Sequence, residues 1–248
     1  DWVAEHFRDD YHIIAPDLRG HGDSEWMLGG SYNHVDYVYD IAQLLHQKQM
    51  NPVTVIGHSL GGSIATLYTA LHPDRVKKLV SIEGMGPPPS MIADRLNKPM
   101  SDRIHGWMAD VRKSSGRMVR RYATLEEAFQ RMQEENPHLA QHQARHLTIH
   151  GSNQNEDGTF SWKFDNYVRN FSPIGIPFSE MAELYGEITC PTLLVRGLES
   201  WASDPIADGR TKSFNCPLEV EAFPDAGHWV HHDQLASFVA RTKTFLAA

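Results

Sequence analysis

Apolar and polar positions along this chain follow two alternating periods. Short β-branched or leucine-rich runs occur at YHIIAP (11–16), VTVIGH (53–58), KLVSIE (78–83), TLLVRG (192–197) and LEVEAF (218–223), each closed by turn residues. Runs of this length are expected as strands of a parallel sheet covered on both faces. Between them the spacing changes to that of a helix. Val35, Val38, Ile41, Ala42 and Leu45 share one helical face, as do Leu235, Phe238, Val239, Thr242, Phe245 and Leu246 near the end. Strands alternating with helices predict an α/β architecture, an open doubly wound sheet that is mostly parallel and flanked by helices.

The interval 85–186 breaks this rhythm. It is rich in Met, Arg, His and Pro and offers helices without core strands between them, so it is expected as an insertion into a core formed by 1–84 and 187–248. Within it, Asn136 and Pro137 fit the N-cap and first position of a helix that Gly151 would end. EDGTFSWKFD then predicts a small hairpin around an Asp-Gly turn.

Ser59 lies among three glycines in VTVIGHSLGGSIA (53–65), after a predicted strand and at the start of a predicted helix. That context turns G-x-S-x-G from a short pattern into a nucleophile elbow. A sharp strand-to-helix turn crowds the flanking positions, and Gly57 and Gly61 are expected to relieve it. Ser59 would then stand at the carboxyl edge of the sheet, with the amide of Leu60 as an oxyanion donor. A serine hydroxyl needs a base to take its proton. His228, in FPDAGHWVHHD, follows the last predicted strand and a glycine turn and is the candidate; His231 and His232 are expected on a helix surface.

Composition narrows the function classes. Among 248 residues, 41% are hydrophobic and 22% charged, the usage of an ordinary globular chain. A net charge of -8 leaves no basic footprint for nucleic acid or an anionic membrane. Cys190 and Cys216 lack the spacing of a zinc site or a disulfide framework. No apolar run reaches the length of about 18 residues that a membrane span requires, and DWVAEHFRDD lacks the features of a signal peptide. A cytoplasmic protein acting on a small molecule, with no cofactor and no metal, is expected.

Taken together, APDLRGHGDS (15–24), VIGHSLGGSIA, HPDRVKKLVSIEG (72–84), CPTLLVRG (190–197) and DAGHWV (225–230) resemble the α/β-hydrolase fold family over nearly the whole chain. The resemblance implies a serine hydrolase core with a helical lid at the insertion, and it makes Asp17, Arg19, Gly20 and Gly22 of DLRGHG turn-formers rather than catalysts. Two departures stand out. The family's orienting acid usually sits three or four residues beyond the glycine that ends the strand preceding this loop, here Gly197, and those positions hold Ser200 and Trp201. Glu83, at the end of KLVSIE, is the preferred substitute because haloalkane-dehalogenase-like members place a glutamate there; Glu199 and Asp204 are the alternatives. The second departure is at the start, where the family carries further strands and a loop with a second oxyanion donor. The chain reads as truncated, and on that reading it is expected to be poorly soluble and weakly active by itself.

The pattern implies attack by Ser59 on a small ester, lactone or similar carbonyl through an acyl-enzyme, with His228 as base. Met91, Met100, Trp107, Met108 and SWKFDNYVRNF (161–171) suggest a substrate with an apolar part. The alternatives are carbon-carbon bond hydrolysis on the same residues and a non-catalytic ligand-binding member of the fold. His138, His142, His146 and His150 recur every four residues, a spacing expected to make a solvated or packing face rather than a metal site.

Overall fold

The computed structural model describes residues 1–28, 32–116, 119–170 and 172–248. In chain order the elements are α1 (Trp2–Phe7), α2 (His34–Gln47), β1 (Val53–His58), α3 (Leu60–Leu71), β2 (Val76–Ile82), α4 (Pro89–Leu96), α5 (Met100–Ser115), α6 (Leu125–Glu135), α7 (Gln141–Gly151), β3 (Ser152–Gln154), β4 (Phe160–Trp162), α8 (Phe178–Gly186), β5 (Thr192–Gly197), β6 (Leu218–Phe223), α9 (Val230–Asp233) and α10 (Leu235–Ala247). They fall into two compact units. One comprises residues 1–13, 34–99 and 174–248, the other residues 14–33 and 100–173. The segment 85–186 is therefore shared between them.

In the first unit four parallel strands are ordered β1-β2-β5-β6. β2 and β5 have neighbours on both sides, and their central side chains are apolar and enclosed: Leu79, Val80 and Leu193 are fully buried. Val80, Ile82, Leu193 and Val195 share a core with Phe223, Phe238 and Phe245, so α10 covers this face of the sheet. At the edge, β6 alternates, and its Glu219 and Glu221 carboxylates pair with Arg241 of α10. Four of the five expected strands are present. YHIIAP is not: residues 12–18 carry no strand, and Tyr11, Ile13 and Ile14 are exposed. A β-branched run becomes a strand only where a neighbour completes its ladder, and β1 pairs with β2 alone among the described strands.

In the second unit α6 packs on α7, and β3 pairs antiparallel with β4 around Asp157 and Gly158, the expected hairpin. Gly158 has φ 82°, and the Asp157 carboxylate accepts from the Thr159 amide at 3.1 Å and its hydroxyl at 2.6 Å. The DLRGHG turn behaves likewise. Gly20 and Gly22 have φ of 75° and 58°, and Asp17 accepts the Asp23 amide at 2.9 Å. The expected cap at Asn136 is corrected. Its side chain donates to the Met132 carbonyl at 3.0 Å and ends α6, while α7 starts later, where Gln143 accepts from the Ala140 amide at 3.1 Å. His138 thus precedes α7, so the four histidines do not share one helix; the His146 and His150 rings lie tilted against each other with centroids 4.4 Å apart.

Close backbone contacts set the height at which α3 leaves β1. A Cβ on Gly57 would lie 2.3 Å from the Gly61 carbonyl oxygen, and one on Gly62 would lie 2.7 Å from Gly84 Cα. The crowding expected at Gly61 is absent: a Cβ there meets nothing within 4 Å. Gly61 starts the outward side of α3, whereas Gly62 faces the end of β2. Gly62→Ala is accordingly expected to cost about 1–3 kcal/mol, because backbone must move to admit it. Gly61→Ala should change stability by no more than about 1 kcal/mol. Urea midpoints of the two variants check the difference.

Candidate active site

Ser59 joins β1 to α3 with φ 53° and ψ −117°, a region that residues with a Cβ rarely enter. Its amide donates to the Ile82 carbonyl at 2.8 Å, which holds the turn against the end of β2. Strand register does the rest. His58 is opposite Ile82, so Ser59 and Glu83 follow side by side at the carboxyl edge of adjacent strands. Leu60 is the first residue of α3, where helical amides have no partner within the helix.

Glu83 also has a positive φ, 52°. Its enclosed carboxylate accepts from the Gly197 amide at 2.7 Å on Oε1 and from the Ser200 hydroxyl at 2.6 Å on Oε2, and Oε2 lies 3.3 Å from His228 Nδ1. Burial alone would push this carboxyl up, but the hydrogen bonds from His228, Ser200 and Gly197 outweigh it and hold the group below its ordinary value. Glu83 is an anion at neutral pH. A carboxylate can only accept, so His228 Nδ1 carries the proton. Nε2 is left as an acceptor for the Ser59 hydroxyl, 2.8 Å away.

The structure therefore brings Ser59, His228 and Glu83 together. The seats where an acid was expected are occupied differently: Ser200 donates to Glu83, and the Trp201 ring rests 5.0 Å from the His228 ring. Asp204 pairs with Arg196 at 3.1 Å, and Glu199 is exposed. Met91, Met100, Trp107 and Met108, expected near the substrate, have exposed side chains. Phe171 of SWKFDNYVRNF lies outside the described residues.

The turn carrying His228 is fastened at several points. A Cβ on Gly197 would lie 2.3 Å from the carbonyl oxygens of Ala226 and Gly227, so the end of β5 runs directly beneath it. The Glu199 amide donates to Ala226 at 3.0 Å, and the Gly227 amide to Asp233 at 2.9 Å. His58 Nε2 lies 2.8 Å from the His228 carbonyl oxygen, which accepts its proton. His231 is corrected from a surface residue: its ring packs 4.6 Å from His58, and His232 sits 4.3 Å from His231 and 5.5 Å from Trp2. This face of the four-residue α9 lies against His58, beside the elbow. Burial, reinforced by neighbouring histidines, lowers His231 well below its ordinary value and His58 to about 4. The parts that the motif did not reveal are His58 and Ser200; one adjoins Ser59 and donates to the His228 carbonyl, and the other donates to Glu83.

A parallel sheet with a strained serine at one strand end and a histidine in a later strand's loop is the arrangement of an α/β hydrolase. The chain belongs to the α/β-hydrolase fold family, whose sequence profile matches residues 2–235. It is 26% identical over 235 residues to a serine hydrolase-like protein of Danio rerio, covering 93% of this chain and 66% of that one. It is 27% identical over 244 residues to the sn-1-specific diacylglycerol lipase ABHD11 of Mus musculus, covering 95% and 71%. The chain thus spans about two thirds of the length of these relatives. A thioesterase domain from the curacin biosynthetic pathway superposes with a TM-score of 0.81 at 23% identity, covering 96% of this chain and 84% of that domain. Among the described residues no helix is long and apolar enough to cross a membrane.

The buried neutral histidines make stability pH-dependent. Between pH 6.5 and about 4 the unfolded chain protonates His58 and the folded one does not. The stabilisation is complete above pH 6.5, falls as pH drops through that window and is constant below it. From pH 7 to pH 5 this group alone should cost about 2 kcal/mol. Urea unfolding at both pH values should show a smaller acid loss for His58→Phe than for the wild type. The Glu83 carboxylate contributes above its ordinary value of 4.5 and loses that contribution only at lower pH, outside the interval measured.

Proposed function

We propose that the chain is a serine hydrolase that cleaves small, partly apolar carboxylic esters, lactones or similar acyl compounds through an acyl-enzyme. The observation that carries this reading is the 2.8 Å contact between Ser59 Oγ and His228 Nε2, made by a serine held at φ 53°. Ser59 Oγ attacks the substrate carbonyl as its proton passes to His228 Nε2. The tetrahedral oxyanion is received by the Leu60 amide at the positive end of α3. Collapse expels the alcohol, which takes the proton from Nε2, and leaves the acyl group on Ser59. Water then repeats the sequence and releases the acid. Glu83 holds the Nδ1 proton throughout and offsets the charge that develops on the ring.

Relatives named as a serine hydrolase-like protein and a diacylglycerol lipase support an ester with an acyl chain as the substrate class. A serine nucleophile sets the reading apart from alkyl-enzyme chemistry, which uses a carboxylate at this position.

Ser59→Ala should abolish labelling by a fluorophosphonate and lower turnover of a short-chain p-nitrophenyl ester by at least about 10⁴-fold. Glu83→Gln should lower kcat by roughly 10³- to 10⁴-fold with little change in KM, since an amide no longer fixes the imidazole tautomer. Glu199→Gln and Asp204→Asn should retain most of the wild-type rate. Equal loss in either of those two, or full activity in Glu83→Gln, overturns the acid assignment; failure of the wild type to label favours a ligand-binding role.

A further inference from the structure

The geometry points to His58 as a positioning residue that acts through the main chain of His228 and so sets the distance between the base and Ser59. This inference rests on the hydrolase reading above. His58 adjoins Ser59 in the chain, and its Nε2 lies 2.8 Å from the His228 carbonyl oxygen, while His228 Nε2 lies 2.8 Å from Ser59 Oγ. These two hydrogen bonds and one peptide bond close a ring of contacts that joins segments 170 residues apart. A carbonyl oxygen has no proton to give, so His58 is the donor and carries its proton on Nε2.

The His228 carbonyl needs such a partner because α9 does not supply one. The His232 amide, which could have turned back to it, donates instead to the Trp229 carbonyl at 2.7 Å. His228 itself lies in the turn between β6 and α9, without a sheet ladder to locate it. The His58 ring cannot swing away, since it is lined by His228 at 4.8 Å, Trp229 at 5.3 Å and His231 at 4.6 Å between centroids. Glu199 and Asp233 fasten the flanking residues of the turn, whereas His58 reaches it from the strand that leads to Ser59. An imidazole displaced by about 1 Å from its hydroxyl partner costs on the order of 100-fold in rate.

Two substitutions separate the hydrogen bond from the bulk of the ring. His58→Phe keeps the ring volume and removes the donor; His58→Gln keeps a donor, its Nε2, at similar reach. Each is assayed for kcat and KM on a short-chain p-nitrophenyl ester and for the rate of fluorophosphonate labelling, with urea unfolding as the check on folding. His58→Phe should lower kcat and the labelling rate by about 10- to 100-fold with KM within about twofold, and His58→Gln should recover most of that loss. Nitrogen NMR of the wild type should show His58 at pH 7 as the neutral Nε2–H tautomer, a readout that does not depend on any variant folding. Full activity in His58→Phe, equal loss in both variants or a His58 Nδ1–H tautomer overturns the inference while leaving the hydrolase reading intact. A wild-type chain that fails to label removes both.

Discussion

The site depends on how closely helix α3 can lie against the ends of β1 and β2. Gly57 passes the Gly61 carbonyl and Gly62 passes Gly84 at distances that leave no room for a Cβ. That proximity allows the chain to reverse within one residue, and the reversal places Ser59 at φ 53°. Such a conformation costs on the order of 1–3 kcal/mol and persists only where the surroundings over-determine it. Here the Ile82 carbonyl fixes the serine amide, and the buried strand β2 fixes Ile82. The position of Ser59 at the edge of the sheet is a consequence of tight packing beneath it.

Around that serine, polarity is concentrated in one short chain of hydrogen bonds. Glu83 receives donors from Gly197 and Ser200 and remains ionised despite its burial. Its charge is directed to His228, whose other nitrogen faces Ser59. Each group dictates the protonation of the next: an acceptor-only carboxylate places the proton on Nδ1, and an unprotonated Nε2 accepts from the hydroxyl. The neutral His58 behind the turn adds no competing positive charge at pH 7.

Much of this was legible in the sequence, for identifiable reasons. The strands at 53–58, 192–197 and 218–223 coincide with their apolar runs because hydrophobic pattern and ladder partners agree there. The run at 11–16 has the same pattern and no ladder, so pattern alone misleads. Ser59 and His228 could be named from strand, turn and helix context. Glu83 could be preferred only through the resemblance to haloalkane-dehalogenase-like members, since its reach to His228 depends on the register of β1 against β2. The motif points to Gly61 for a steric role that belongs to Gly62, because a motif does not say which glycine faces the sheet. The sequence points His231 to a surface because a four-residue helix leaves too short a pattern to show its inner face.

The position of Glu83 has an implication for how this scaffold can diversify. Because the carboxylate is carried at the end of β2, beside the strand that leads to Ser59, the excursion after β5 supplies no acid: it offers the Gly197 amide and the Ser200 hydroxyl to Glu83, the Glu199 amide to Ala226 and the Trp201 ring to His228. The remainder of that excursion, with exposed Leu198 and Ile206, takes no part in these contacts. Its length and side chains can vary without moving the carboxylate, which stays anchored in the sheet.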